Sequence, residues 1–235
     1  MNRERMLLQG AMDMEIQELL SAMRLEKTET HAGFSYYIGE ICGVPVIVNK
    51  TGMGIISGVL ATMTAISNYR IKCVINQGTA GGHADWVHTG DLIRCEKAEY
   101  LNGLRMPVKG AGEGADSLQW RFDEKMKPHC ADSTLLKRIE GLEYPYGKSY
   151  TGCIGSGDIY SREVDRIRWI QGKKGNLCED METYGVYETC ERMKVPCLGL
   201  RVISNHEVFG EPFSEETAAL LQKYLILAIE KGILA

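Results

Sequence analysis

The sequence predicts an α/β protein: a three-layer α/β/α single domain, residues 1–235, around a mixed central sheet. Three observations predict it. Apolar, strand-length runs alternate with amphipathic, helix-length segments along the chain. One pair of runs is separated only by Cys42-Gly43, which makes a hairpin and so a mixed rather than wholly parallel sheet. No internal repeat, low-complexity tract or linker divides the chain.

In order, Met6-Leu7-Leu8-Gln9 is a short apolar run closed by a tight turn at Gly10-Ala11. Asp13 is expected to cap a helix whose apolar face is Ile16, Leu19, Leu20 and Met23. Glu15 falls in the first turn of that helix. It is either a carboxylate complementing the helix dipole or a base aimed into a cleft. Phe34 to Ile41 and Val44 to Lys50 are the two strands of the hairpin. The second runs into Thr51-Gly52-Met53-Gly54 and a helix from about Ile55 to Tyr69. A Gly-x-Gly turn lets backbone approach a ligand closely. It is not Gly-x-Gly-x-x-Gly, and no Lys-Ser/Thr follows, so dinucleotide and P-loop readings fail.

Lys72 to Asn76 is the next strand, and Gln77-Gly78-Thr79-Ala80-Gly81-Gly82 after it is expected to be a nest of N–H groups or a flat floor for a ring. Val87 to Asp91 turns into Leu92-Ile93-Arg94-Cys95. Leu101 to Leu118 is Gly-rich and aperiodic, which suggests a mobile loop or lid. A helix over Ser133 to Ile139, a strand over Ser149 to Ile154 and a helix over Arg162 to Gln171, closed by Gly172, come next. The stretch Cys178 to His206 organises the rest. A strand end delivers Asp180, Met181 and Glu182, a crossover helix follows, and a buried strand from Pro196 to Ile203 hands off to Ser204-Asn205-His206. Ligands of open α/β sheets bind beyond the carboxyl ends of strands, where these polar groups lie. Ser214 is expected to cap a last helix with Ala218, Leu221, Leu225 and Ala228 on one face.

Composition narrows the function classes. Net charge is −4, with 44% hydrophobic and 25% charged residues and no block of Lys or Arg, so nucleic acid is not an expected partner. No apolar run approaches the ~20 residues that span a bilayer. The N-terminus leads into too few apolar residues for a signal peptide. The eight cysteines are scattered singly, which fits reduced thiols and a cytoplasmic protein. The histidines are far apart without an H-x-x-H or H-E-x-x-H pattern, so no metal and no cofactor is expected. No Gly-x-Ser-x-Gly elbow is present.

Six motifs in register carry a resemblance: Gly10-Ala11-Met12-Asp13-Met14-Glu15, Thr51-Gly52-Met53-Gly54, Asn76 to Gly82, Ser156-Gly157-Asp158, Asp180-Met181-Glu182 and Arg201-Val202-Ile203-Ser204. Together they resemble the purine nucleoside phosphorylase and nucleosidase superfamily. The nearest branch is the 5′-methylthioadenosine/S-adenosylhomocysteine nucleosidases and futalosine hydrolases. The resemblance implies hydrolysis of an N-ribosidic bond in a purine nucleoside, no cofactor and a homodimer. By the same resemblance, Glu15 is the base that positions water, and Glu182 accepts from the 2′- and 3′-hydroxyls. Met181 packs on the ribose; Met12, Met53, Thr79, Tyr160 and Asp180 complete the substrate pocket; and Asn205 faces purine N7 and the C6 substituent.

Three departures from the branch matter. Leu101 to Leu118 does not match its pattern, where much of the 5′ pocket would lie. Asp180 stands where the branch has Glu. Asn205 stands where the methylthioadenosine enzymes have an Asp, and an amide cannot be a general acid. Within the superfamily such an Asn goes with 6-oxopurines, so hypoxanthine-type nucleosides are the expected preference. Two alternatives stay open. A phosphorylase would need a phosphate site, yet Asn76 stands where an Arg is usual and Gly10 to Met14 holds none, leaving Arg94 and Arg201 as possible substitutes. A catalytically inactive nucleoside binder has little need of both Glu15 and Glu182.

Overall fold

The computed structural model describes residues 3–234. Its strands are β1 (Arg5–Gly10), β2 (Arg24–His31), β3 (Phe34–Ile41), β4 (Val44–Lys50), β5 (Ile71–Gly82), β6 (Leu92–Tyr100), β7 (Leu104–Arg105), β8 (Arg121–Phe122), β9 (His129–Cys130), β10 (Ser149–Ser156), β11 (Cys178–Asp180) and β12 (Cys197–Asn205). The helices are α1 (Gln17–Ala22), α2 (Ile55–Asn68), α3 (Ser133–Glu140), α4 (Val164–Lys174), α5 (Thr183–Met193) and α6 (Glu216–Glu230). A ten-stranded mixed sheet runs in the order β11-β10-β6-β12-β5-β1-β4-β3-β2, with β9 on β6. Strands β2, β3 and β4 are antiparallel, whereas β4, β1, β5 and β12 run parallel.

Both faces of the central strands are apolar because both are covered. Successive side chains of a strand point to opposite faces. Met6 and Leu8 of β1, with Val46 and Val48 of β4, pack against α1, α3 and α6. Leu7 and Ile47, one residue out of phase, pack with α2 and α5. This is the layering that the alternation of runs implies.

One end of the sheet is not open. The run Gln77 to Gly82 is neither nest nor turn; it continues β5 to twelve residues. Gly81 and Gly82 then pair antiparallel with Glu179 and Cys178 of β11. Strands β5, β12, β6, β10 and β11 therefore close on themselves. Glycine makes the bend possible, because a Cβ on Gly82 would lie 2.4 Å from the His206 ring.

Several local expectations are corrected. Asp13 caps nothing: its carboxylate meets Lys50 at 2.7 Å, and a 3₁₀ turn over Asp13–Glu15 precedes the short α1. Helix α4 passes through Gly172 and stops at Gly175, which takes the left-handed conformation with φ 66°. Ser214 does not cap α6; its N–H donates to the Ser204 carbonyl, and Glu215 holds the cap position. Strand β6 runs on to Tyr100 because the antiparallel β9 and parallel β10 pair with it. Strand β2 was not foreseen. Its residues are polar and mostly exposed, and only the pairing with β3 makes it a strand.

Candidate active site

Glu15 is buried where β1 gives way to the 3₁₀ turn. One carboxylate oxygen accepts from the backbone N–H groups of Ala11 and Met12 at 2.7 and 3.1 Å. The other accepts from the N–H and hydroxyl of Thr79 at 2.8 and 3.0 Å. Four donors from two segments fix this group in place. The approach requires Gly78, where a Cβ would stand 2.7 Å from Glu15 Oε1.

Glu182 is delivered by the turn between β11 and α5. It accepts from the Gly54 N–H at 2.9 Å, and Arg201 Nη2 lies 3.9 Å from its other oxygen. Burial, and next the neighbouring Asp180, push the Glu182 carboxyl well above the ordinary glutamate range.

Asp180 lines the cavity, but its carboxylate is committed internally. It accepts from Arg201 Nε at 2.8 Å and from the hydroxyls of Ser156 and Thr183. Arg201 in turn donates to the Asn76 carbonyl at 3.0 Å, the Asn76 side chain at 2.5 Å and the Leu200 carbonyl at 2.9 Å. Its guanidinium is thus fully employed and only 1% exposed. Arg94 is buried on β6, donates to the Leu142 carbonyl and does not line the cavity.

Met12, Glu15, Met53, Thr79, Tyr160, Asp180, Met181, Glu182 and Asn205 all line one cavity. Met53 and Tyr160 are exposed at its mouth. Asn205 ends β12 opposite Gly81, and its Oδ1 accepts from the Ser204 hydroxyl at 3.0 Å. No described residue lining the cavity is Lys or Arg. None of Leu101 to Leu118 lines it either; that segment carries β7 and a 3₁₀ turn and borders separate grooves beside Trp169 and Arg166. Among the described residues no group of three or more His, Cys, Asp or Glu is placed to hold a metal.

Sequence reasoning missed Glu179 and His83, which also line the cavity. Burial raises the Glu179 carboxyl to about 7 and lowers His83 to about 3. The only signal was Glu179 beside Cys178 at a strand end. Without the closed ring, nothing said which face it would take.

The family model described as "Phosphorylase superfamily" matches residues 5–228.

The chain belongs to the phosphorylase superfamily.

Among curated phosphorylase-superfamily relatives, the 5′-methylthioadenosine/S-adenosylhomocysteine nucleosidase of Pseudoalteromonas translucida is 27% identical over 232 residues, 96% of each chain. That of Shewanella loihica is 28% identical over 203 residues, 84% of each chain. The same fold appears in the Neisseria meningitidis nucleosidase in complex with methylthio-immucillin-A, at TM-score 0.80 and 22% identity, covering 97% of this chain and 100% of that one. A futalosine hydrolase mutant of Helicobacter pylori matches at TM-score 0.78 and 19% identity, covering 97% and 100%.

Proposed function

We propose that this phosphorylase-superfamily chain works as one domain over residues 1–235. In this reading it is a purine nucleosidase that hydrolyses the bond between base and ribose. The observation that carries the reading is the cavity itself: buried Glu15 and Glu182 share it, with no Lys or Arg among the described residues that line it. Breaking a ribosyl C–N bond builds positive charge on the sugar and negative charge on the base. Glu15 orients a water toward C1′ and takes its proton once the Thr79 hydroxyl, one of its four donors, turns away and frees an acceptor position. Glu182 accepts from the ribose hydroxyls, which favour its ionised form, and then lends negative charge beside the developing cation. Met181 packs on the sugar. The apolar mouth formed by Met53, Ile159, Tyr160 and Phe213 suits a 5′ substituent. Relatives named for methylthioadenosine and S-adenosylhomocysteine support substrates of that shape.

Asn205 supplies the base contact. With its Oδ1 engaged by Ser204, the amide NH₂ remains to donate to N7 or O6. This supports a 6-oxopurine preference over 6-aminopurines. A phosphorylase would need a bound anion, but among the described residues the cavity is lined by five carboxylates (Glu15, Glu179, Asp180, Glu182 and Glu207) and by no Lys or Arg. An exposed apolar stripe on α2, formed by Ile56, Leu60 and Met63, supports a homodimer beside the pocket mouth. All eight cysteines are free, which supports a reducing, cytoplasmic setting.

The test is a panel of purine nucleosides assayed for release of free base with and without phosphate. Release independent of phosphate, with ribose as co-product, is the expected result. Ribose-1-phosphate formed in proportion to phosphate would overturn hydrolysis.

A further inference from the structure

Glu179 has no part in the chemistry just described, yet it is placed for a specific task. Its β11 register partner is Gly81, and Asn205 of β12 pairs with the same Gly81 from the other side. Directly paired residues present their side chains to the same face of a sheet. Both side chains line the cavity, and Gly81 between them contributes no side chain of its own. Their backbones are two strand spacings apart, about 9–10 Å. N1 of a purine adjoins its O6, so a purine lying over Gly81 with O6 toward Asn205 can turn N1 toward Glu179, which lines the same cavity.

The carboxylate has room to accept there. Ser161 donates to it twice, through its N–H at 3.1 Å and its hydroxyl at 2.8 Å, one bond to each oxygen. Each oxygen keeps a further acceptor position. His83 lies 3.6 Å away, too far for a hydrogen bond. The His83 Nδ1 accepts from Asn176 at 2.9 Å. Burial, and next His206, hold the imidazole neutral, so it does not cancel the Glu179 charge.

We infer that Glu179 is a specificity-determining residue whose carboxylate accepts the N1–H of a 6-oxopurine base. The inference rests on the nucleosidase reading for where the base lies, not for whether its bond is cut. A 6-aminopurine carries a bare acceptor at N1, which an ionised Glu179 repels. The charged and titratable groups facing Glu179 are His83, Asp180 and Arg166. Burial dominates and, with Asp180, outweighs the Ser161 bonds and Arg166, raising the carboxyl to about 7. Above that value Glu179 can only accept. Below it the carboxylic acid O–H can donate to N1 of a 6-aminopurine. The base preference should therefore tilt with pH.

The experiment is calorimetric binding of free hypoxanthine and free adenine to wild type and Glu179→Gln. Measurements are made at about pH 6 and about pH 8, either side of the Glu179 value. At the higher pH the wild type should favour hypoxanthine by about 10- to 100-fold, the size of one charge-assisted hydrogen bond. At the lower pH that ratio should shrink. In Glu179→Gln it should collapse at both, because a Gln amide can donate to adenine N1. An unchanged ratio in a folded variant, an absent pH tilt, or a wild type that binds neither base would each overturn the inference. Should the variant not fold, the wild-type tilt alone decides. If the bases bind in this pattern while no nucleoside is hydrolysed, the nucleosidase reading fails and the role of Glu179 stands.

Discussion

The mouths of β1 and β11 each present a buried glutamate to the same cavity, but in opposite states of readiness. Glu15 receives four hydrogen bonds before any ligand arrives. Glu182 receives one, from Gly54, with a guanidinium at 3.9 Å. The first is preset, as a group that aims a water must be. The second is left short of donors, and ribose hydroxyls would supply them. Burial depth does not separate the two, since both are nearly inaccessible. The number of donors does.

The sharpest way to break the contrast is Glu15→Gln. It keeps the volume and removes the base, so turnover should fall by about 10²–10⁴-fold with an unchanged circular dichroism spectrum. A variant within about threefold of wild type would remove Glu15 from the chemistry.

Next in size is Arg201→Met, which leaves Asp180 buried without its cation. Loss of one partner of such a pair costs about 3–5 kcal/mol, readable as a lower midpoint in urea. A loss under about 1 kcal/mol would mean that Ser156 and Thr183 alone satisfy Asp180.

Glu182 sharpens the comparison through protons. Its raised carboxyl pKa means that the folded chain holds the proton more tightly than the unfolded one. That contribution to stability is complete below the unfolded value, about 4.3, and is lost as pH rises through the folded value. Ribose hydroxyls favour the ionised form, so a nucleoside should expel a proton that the free base does not. Calorimetry in buffers of different ionisation enthalpy measures the difference. Equal release by nucleoside and base, or an undiminished difference in Glu182→Gln, would contradict the assignment.

The smallest effect is at Asp13, beside Glu15 but outside its network. Asp13→Ala removes only an exposed pair with Lys50 and should cost no more than about 1 kcal/mol. A larger loss in thermal unfolding would show that Asp13 supports the turn after all.

These contrasts also show what was legible in the chain. The hairpin strands begin and end where β-branched runs and Cys42-Gly43 indicate, because their signals are local. The polar strand ends of β11 and β12 do meet in one cavity. The employment of Asp180 was not legible. Its partner Arg201 sits inside an apolar run, and its other partners, Ser156 and Thr183, come from β10 and α5. Strand β2 was invisible because an edge strand with polar side chains has no period to read. Glu179 needed knowledge that β5 bends back to meet β11, and no run of residues in β11 announces that.

That seam has a consequence for how the molecule is made. Only two rungs, Gly81 with Glu179 and Gly82 with Cys178, join β5 to β11. Residues 83 to 177 lie between those rungs in the chain. Loop closure of that length is entropically costly and slow. Pulse-labelling hydrogen exchange during refolding should therefore find the amides around Gly82 and Cys178 protected after those of β1 and β4. The binding floor would then be among the last parts of the chain to acquire its native form, and a nascent chain that has emitted only its first half would own Glu15 but no pocket to put it in.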